Sequence, residues 1–247
     1  MLYTNKITFL RDDNRIHLAG FCFLKGDLDD LLKKTSLLHK NEIKHLNELV
    51  IERRKHSYLL GRLASKKAIE HLIKPTKKLS DIFIDYGVFF FPVVKTDQYP
   101  GLSVSISHTN DIGVAIAFNE EHPLSIDIER IEISNNNIDK YLTDYEKITL
   151  KPEMDDVKYY TAIWTIKESL SKTLRIGLTI DLKILELKTF VKNNQYFVST
   201  FKNFSQYKAV SKIYDDYVCS FVCPKNSEIE DLNVYWESLN SILNKKI

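Results

Sequence analysis

The sequence predicts an α+β fold in two halves, each running from helices into strands. Three observations predict it. The chain has 247 residues, 44% of them hydrophobic, which allows one large domain or two packed domains of roughly 120 residues. The hydrophobic period shortens from that of a helix to two in each half. A polar break, Asn119-Glu120-Glu121-His122-Pro123, falls almost at the midpoint;. The chain is therefore divided into residues 1–121 and 122–247.

The elements follow in order. Lys6–Leu10 and Ile16–Leu24 read as strands, and a helix-rich stretch runs from about Asp27 to Ile73. Leu60, Ala64, Ala68 and Leu72 recur every four residues and share one helix face. Arg53, Arg54, Lys55, Arg62, Lys66 and Lys67 crowd the same helix, as a solvated basic face or as a contact for phosphate. Val104 and Ile106 alternate with serines, and Ile112, Val114, Ile116 and Phe118 with small residues. With His108-Thr109-Asn110-Asp111 between them, these segments predict a β-hairpin.

The second half opens on the alternating strand Leu124–Ile128. A polar loop at Ser134–Asn137 leads into a helical stretch to about Leu150. Pro152 breaks it, and Asp155 or Asp156 caps a helix running to about Leu174. Strands are expected near Ile184–Val191, Tyr196–Phe201, Tyr207–Ile213 and Tyr217–Val222, and a helix near Val234–Leu243. No sequence repeat between the halves is evident.

Composition excludes several classes. Lys+Arg 35 against Asp+Glu 33 gives a net charge of +2, far from the basic excess of a duplex-DNA binder. Three scattered cysteines, Cys22, Cys219 and Cys223, make neither a disulfide framework nor a zinc site. No stretch reaches the ~18 apolar residues of a membrane span, and the apolar start is too short for a signal peptide. No glycine-rich phosphate loop occurs. A soluble cytoplasmic protein that binds neither nucleic acid nor membrane is expected.

Three polar elements carry chemistry. On strand Leu124–Ile128, Asp127 and Glu129 share one face because strand side chains alternate. Two such carboxylates suit a divalent cation such as Mg²⁺, or a strand with one solvated face. In Trp164-Thr165-Ile166-Lys167-Glu168-Ser169-Leu170-Ser171-Lys172, Trp164, Glu168 and Lys172 form one helix ridge. Glu168 and Lys172 suit a metal-bound polyphosphate, or a plain i, i+4 ion pair. Ser105-Ile106-Ser107-His108-Thr109 offers hydroxyls and an imidazole to phosphate, or is a polar hairpin turn.

In this order and spacing, S-I-S-H-T, S-I-D-I-E and W-T-I-K-E-S-L-S-K resemble the signature of 4′-phosphopantetheinyl transferases. About twenty residues separate the first two motifs and about forty the last two. The length is similar to that of the long, pseudo-dimeric Sfp-type class. Glu52–Arg62 resembles the basic helix ahead of the first motif, and Ile176-Gly177-Leu178 fits the turn after the third. The resemblance covers roughly residues 40 to 180.

It implies two similar α/β halves related by a pseudo-twofold, each a small antiparallel sheet packed with a long helix. It implies transfer of the 4′-phosphopantetheinyl arm of coenzyme A to a serine of an apo carrier protein, releasing 3′,5′-ADP. The carrier would serve fatty acid, polyketide or nonribosomal peptide synthesis, and the enzyme would work as a monomer. Asp127, Glu129 and Glu168 would bind Mg²⁺. Ser107 and His108 would contact coenzyme A phosphates, with Lys44 and Arg54, joined by Arg62, on the 3′-phosphate. Lys172 would reach the pyrophosphate, Lys167 would help to hold the site, and Trp164 would pack the helix. Glu168 is the first candidate for the base, and Glu146 a second.

The chain differs from the family where Tyr86-Gly87 leads into Val88-Phe89-Phe90-Phe91, since members often have a lysine or other polar residue there, and at Ser57, where some members carry an arginine. Exposed apolar residues at Phe89–Phe91 or before Tyr141, assigned to the second half, would dock the carrier. Two other readings stand beside this one. A Mg²⁺-dependent nuclease or phosphoesterase also gathers carboxylates and a lysine, but usually with glutamate and lysine two apart on a strand. A carrier-binding module without activity would be expected to lose a metal carboxylate or Lys172, and all are present.

Overall fold

The computed structural model describes residues 1–74, 78–132 and 138–245. The loop expected at Ser134–Asn137 lies outside the described residues. The chain opens with a hairpin, β1 (Leu2–Arg11) and β2 (Ile16–Lys25), whose turn carries Asn14 in the left-handed region at φ 63°;. Helices α1 (Leu28–Leu32), α2 (Lys40–Glu48) and α3 (Glu52–Ile73) follow. Asp27 caps α1, and His39 with Glu42 forms a capping box on α2;. The short hairpin β3 (Phe83–Tyr86) and β4 (Pro92–Lys95) precedes β5 (Leu102–Thr109) and β6 (Ile112–Asn119).

Then come β7 (Ser125–Arg130), a 3₁₀ turn at Ile138–Tyr141 and a π-helical turn at Tyr145–Thr149. Helix α4 (Asp156–Thr173) is capped by Asp155, whose carboxylate accepts from the Lys158 N–H at 3.0 Å. Strands β8 (Leu187–Asn193), β9 (Tyr196–Phe201), β10 (Tyr207–Ile213) and β11 (Tyr217–Pro224) follow. The chain ends with β12 (Ser227–Glu230) and α5 (Leu232–Leu243). The fold is mixed α/β with antiparallel sheets.

The chain forms two compact units, Met1–Pro123 with Ser227–Ile247, and Leu124–Asn226. In the first, the sheet runs β12-β1-β2-β6-β5. Cys22 and Leu24 of β2 pack with Leu60, Ala64 and Ala68 of α3 in one core. Contact is close: a Cβ on Gly20 would lie 2.2 Å from the Ala68 carbonyl oxygen, so only glycine fits. The residues of β2 between these, Phe21 and Phe23, meet the edge of the Tyr235 ring from α5 at 4.8 and 5.1 Å.

The segment from Ser227 onward therefore differs from expectation. The sequence placed 227–247 with the second half, but β12 pairs with β1 (Phe9↔Ile229), and α5 covers the aromatic face of β2. An open edge at β1 and two exposed phenylalanines would otherwise remain. The β5–β6 ladder also runs further than expected, through His108↔Gly113 and Thr109↔Ile112. Only Asn110 and Asp111 turn the chain, with Asn110 left-handed at φ 49°.

In the second unit the order is β7-β11-β10-β9-β8. Helix α4 buries Tyr159, Ala162, Ile163, Ile166 and Leu170 in a core with Ala209, Val218 and Val222. Small hydroxyl side chains let α4 lie close on β7 and β11. Ser125 Oγ donates to the Ser169 carbonyl at 2.6 Å, Ser169 Oγ to the Ser220 carbonyl at 3.0 Å, and Thr165 Oγ1 and Ser220 Oγ are 2.8 Å apart.

Among the described residues, each unit holds a fully buried lysine–glutamate pair. In the first, Lys66 Nζ lies 3.0 Å from Glu42 Oε2 and donates to the carbonyls of Leu79 and Ile82. Glu42 accepts from the N–H groups of His39 and Ile84, and Tyr58 donates to its carbonyl. In the second, Lys167 Nζ lies 2.7 Å from Glu146 Oε2 and donates to the Tyr141 carbonyl. Glu146 accepts from the N–H groups of Thr143 and Leu187, and Tyr159 donates to its carbonyl. Every strong polar group of these pairs has a partner, as deep burial requires.

Candidate active site

Strand β7 and helix α4 bring Asp127, Glu129, Trp164, Glu168 and Lys172 together. Asp127 is register partner to Ser220, whose hydroxyl meets Thr165 of α4, so the side of the β7 pleat that carries Ser125, Asp127 and Glu129 faces the helix. The ridge of α4 answers it residue for residue. Lys172 Nζ donates to Asp127 Oδ1 at 2.7 Å and to the Ile126 carbonyl at 3.2 Å. Trp164 Nε1–H donates to Glu129 Oε1 at 3.2 Å. Lys172 thus reaches across to the strand, so the ridge is more than an exposed i, i+4 pair.

Electrostatics mark the same group. Asp127 is 2% exposed. Burial, and then the charge of Asp127, push Glu129 up to about 7, against the Trp164 hydrogen bond. Burial, and again Asp127, push Glu168 up to about 7, with Lys172 opposing. Neighbouring carboxylates shielded from water destabilise one another's charged forms unless a cation or a proton intervenes. A carboxyl poised near neutral is also suited to general base chemistry.

Among the described residues, no group of three or more His, Cys, Asp or Glu side chains is gathered to hold a metal ion. The Lys172 ammonium lies 2.7 Å from Asp127 and supplies positive charge there. The donor set still fits a hard divalent cation, because it is all carboxylate oxygen and the charge of Asp127 helps to raise the pKa of Glu129 and of Glu168;.

The other expected residues lie in the first unit. Lys44 and Arg54 are exposed on α2 and α3. Ser107 is buried and His108 exposed. As neighbours in one strand they point to opposite faces of β5. Arg62 is 3% exposed. Its guanidinium lies 4.5 Å from the ring centre of Tyr86 and 5.2 Å from that of Tyr58, and its Nε lacks a hydrogen-bond partner among the described residues. Phe89 and Phe90 are exposed at the β3–β4 turn and belong to the first unit, not the second.

Two expectations change role. Lys67 pairs with Glu70 at 2.7 Å on the helix surface. Glu146, the second base candidate, has no exposed side chain, and it binds Lys167 and two backbone N–H groups. Sequence reasoning missed this pair and its Glu42–Lys66 counterpart. The available signal was Tyr58 and Lys66, and Tyr159 and Lys167, each eight residues apart on a long helix.

Residues 123–222 match the 4′-phosphopantetheinyl transferase superfamily. The span covers β7, α4 and the strands to β11, and so contains every residue of the carboxylate group. A domain of this superfamily supports phosphopantetheinyl transfer, a reaction in which members use coenzyme A, generally with a divalent metal, and act on carrier proteins. No curated protein matches the chain. No helix among the described residues is long and apolar enough to cross a membrane.

Proposed function

We propose that this chain is a Mg²⁺-dependent 4′-phosphopantetheinyl transferase of the long, pseudo-dimeric class. It would move the arm of coenzyme A to a serine of an apo carrier protein and release 3′,5′-ADP. The observation that carries this reading is the convergence of Asp127, Glu129, Glu168 and Lys172 inside the matched span.

The reaction forms one P–O bond and breaks another. The serine oxygen attacks the phosphorus that bears the pantetheine arm, and the bond from that phosphorus to the bridging oxygen of 3′,5′-ADP breaks. Glu168 takes the serine proton, which its raised pKa allows near neutral pH;. Lys172 balances the charge growing on the leaving phosphate. Asp127, Glu129 and Glu168 would hold Mg²⁺, which would neutralise diphosphate oxygens. Lys44, Arg54, Ser107 and His108 would hold the cofactor phosphates. Buried Arg62, ringed by aromatics with its Nε unsatisfied, supports an anion on this unit;.

The two units read as copies of one ancestor. Each has one long helix over an antiparallel sheet. In each, the strand before the helix pairs with the last strand of the following group: β2 with β6, and β7 with β11. In each, the buried lysine, its glutamate and a tyrosine eight residues earlier make the same bonds. This supports a pseudo-twofold chain that works as a monomer. The cysteines are buried free thiols, which suits the cytoplasm.

The test is intact-mass spectrometry of apo carrier proteins incubated with the chain, coenzyme A and Mg²⁺. A gain of one phosphopantetheinyl group, lost with EDTA and in Asp127→Ala and Glu168→Ala, is expected. No gain across fatty acid, polyketide and peptide-synthetase carriers, with no coenzyme A binding, would return the phosphoesterase reading. Coenzyme A binding without transfer would favour a non-catalytic carrier-binding module.

A further inference from the structure

The indole of Trp164 does more than pack α4. Its Nε1–H donates to Glu129 Oε1 at 3.2 Å, and its ring rests on Tyr141 with centroids 5.1 Å apart. Tyr141 in turn supplies the carbonyl that accepts from the buried Lys167. The indole is thus fixed on one side by a segment that the Glu146–Lys167 pair anchors. On the other side it grips a carboxylate with few internal restraints, since Glu129 has three rotatable bonds and is only half-buried;. Lys172 treats Asp127 in the same way two turns further along α4, with one difference. An ammonium opposes a divalent cation at the carboxylate it holds, whereas a neutral N–H leaves the carboxylate its charge and its second oxygen.

We infer that Trp164 is a positioning residue for divalent-cation binding, whose indole N–H fixes the rotamer in which Glu129 offers its other oxygen to the ion. The inference rests on the metal reading above and adds a residue to it. Partners that orient ligands in this way typically change metal affinity 10–100-fold when removed. Trp164→Phe keeps an aromatic ring beside Tyr141 and removes the N–H donor together with part of the indole.

The test uses the full chain without coenzyme A. Free Mn²⁺ is followed by electron paramagnetic resonance, with Mg²⁺ as competitor, for the natural sequence and for Trp164→Phe. The chain has two tryptophans, so two indole N–H signals appear in a ¹⁵N correlation spectrum, and Trp236→Phe assigns them. The expected result is Mn²⁺ binding roughly tenfold weaker in Trp164→Phe. The Trp164 indole signal should move with Mg²⁺ and in Glu129→Ala, while that of Trp236 stays. Equal Mn²⁺ affinity in the two chains overturns the inference and leaves the metal reading standing. So does a Trp164 signal blind to both Mg²⁺ and Glu129→Ala in a natural chain that binds Mn²⁺, which decides the matter even if Trp164→Phe fails to fold. Failure of the natural chain to bind either ion overturns the metal reading itself, and the inference with it.

Discussion

Glu146→Ala isolates what the buried pair of the second unit does. The substitution leaves the Lys167 ammonium with no exposed surface and no carboxylate, where Glu146 Oε2 had stood 2.7 Å away. It also strands the N–H groups of Thr143 and Leu187, which had donated to the same carboxylate at 2.8 and 2.9 Å. An uncompensated buried charge costs about 3–5 kcal/mol, and each stranded N–H about 1–3 kcal/mol. Loss of the proton caps the charge penalty. Burial already lowers the pKa of Lys167, and neutralising an ordinary lysine at pH 7 costs at most ~4.6 kcal/mol. A net loss of at least about 5 kcal/mol is expected from these contributions, a large part of the ~5–15 kcal/mol that holds a domain together. Urea unfolding in a Trp236→Phe background, where Trp164 alone reports, measures it. Glu146→Leu with Lys167→Met removes both charges and should recover about 3 kcal/mol or more of that loss. A single-variant cost under about 1 kcal/mol, or a double variant no more stable than the single, would refute this account. Glu146 would then return as a candidate base.

Lys172→Met should abolish transfer yet tighten divalent binding about tenfold at pH 8, because the ammonium 2.7 Å from Asp127 competes with the ion;. Mn²⁺ titration checks this, and weaker binding would show that Lys172 does not compete. His122, 2% exposed between the rings of Phe9 and His17, donates or accepts at Ser227 Oγ over 2.8 Å. Burial, then His17 and Arg11, push its pKa down to about 4 from 6.5. The folded state therefore prefers the neutral ring, and the contribution is full above pH 6.5. It falls as the pH drops through 6.5, by up to about 3 kcal/mol at pH 4. Urea stability at pH 7.5 and 4.5 should fall less in His122→Gln; equal slopes would sink the argument.

Local pattern made most elements legible. Alternation found β5, β6 and β7, and four-residue spacing found the α3 face, because those rules act within a few residues. Asp127 and Glu129, with Glu168 and Lys172 on one ridge, were visible for the same reason. What stayed hidden depends on partners distant in sequence. Strand β12 pairs with β1 across 220 positions at Phe9↔Ile229, and four residues carry too little pattern to announce it. Arg62 and Lys66 looked like members of a basic face. Their burial follows from the sheet and from Glu42, which no helical periodicity of α3 contains. Trp164 read as packing because its donor atom finds Glu129 only when α4 lies on β7.

The two buried pairs also explain why a duplicated chain would carry one carboxylate site. Matching Lys66 to Lys167 places Leu63, Lys67 and His71 where α4 has Trp164, Glu168 and Lys172. Both helices touch their strand two residues further on: Ala68 O faces Gly20, and Ser169 O accepts from Ser125. Counting along the strands then sets Cys22 and Leu24 against Asp127 and Glu129. Cys22 and Leu24 are fully buried in an apolar core, and burial raises the Cys22 thiol far above its ordinary range, so it offers no anion there. Lys67 and His71 replace a carboxylate and a lysine. None of the matched positions Cys22, Leu24, Leu63, Lys67 and His71 is a carboxylate, and the basic character of Lys67 and His71 suits phosphate instead. Under the proposed function the two units would thus supply charge of opposite sign, carboxylates for a divalent cation in one and basic side chains for a cofactor phosphate in the other.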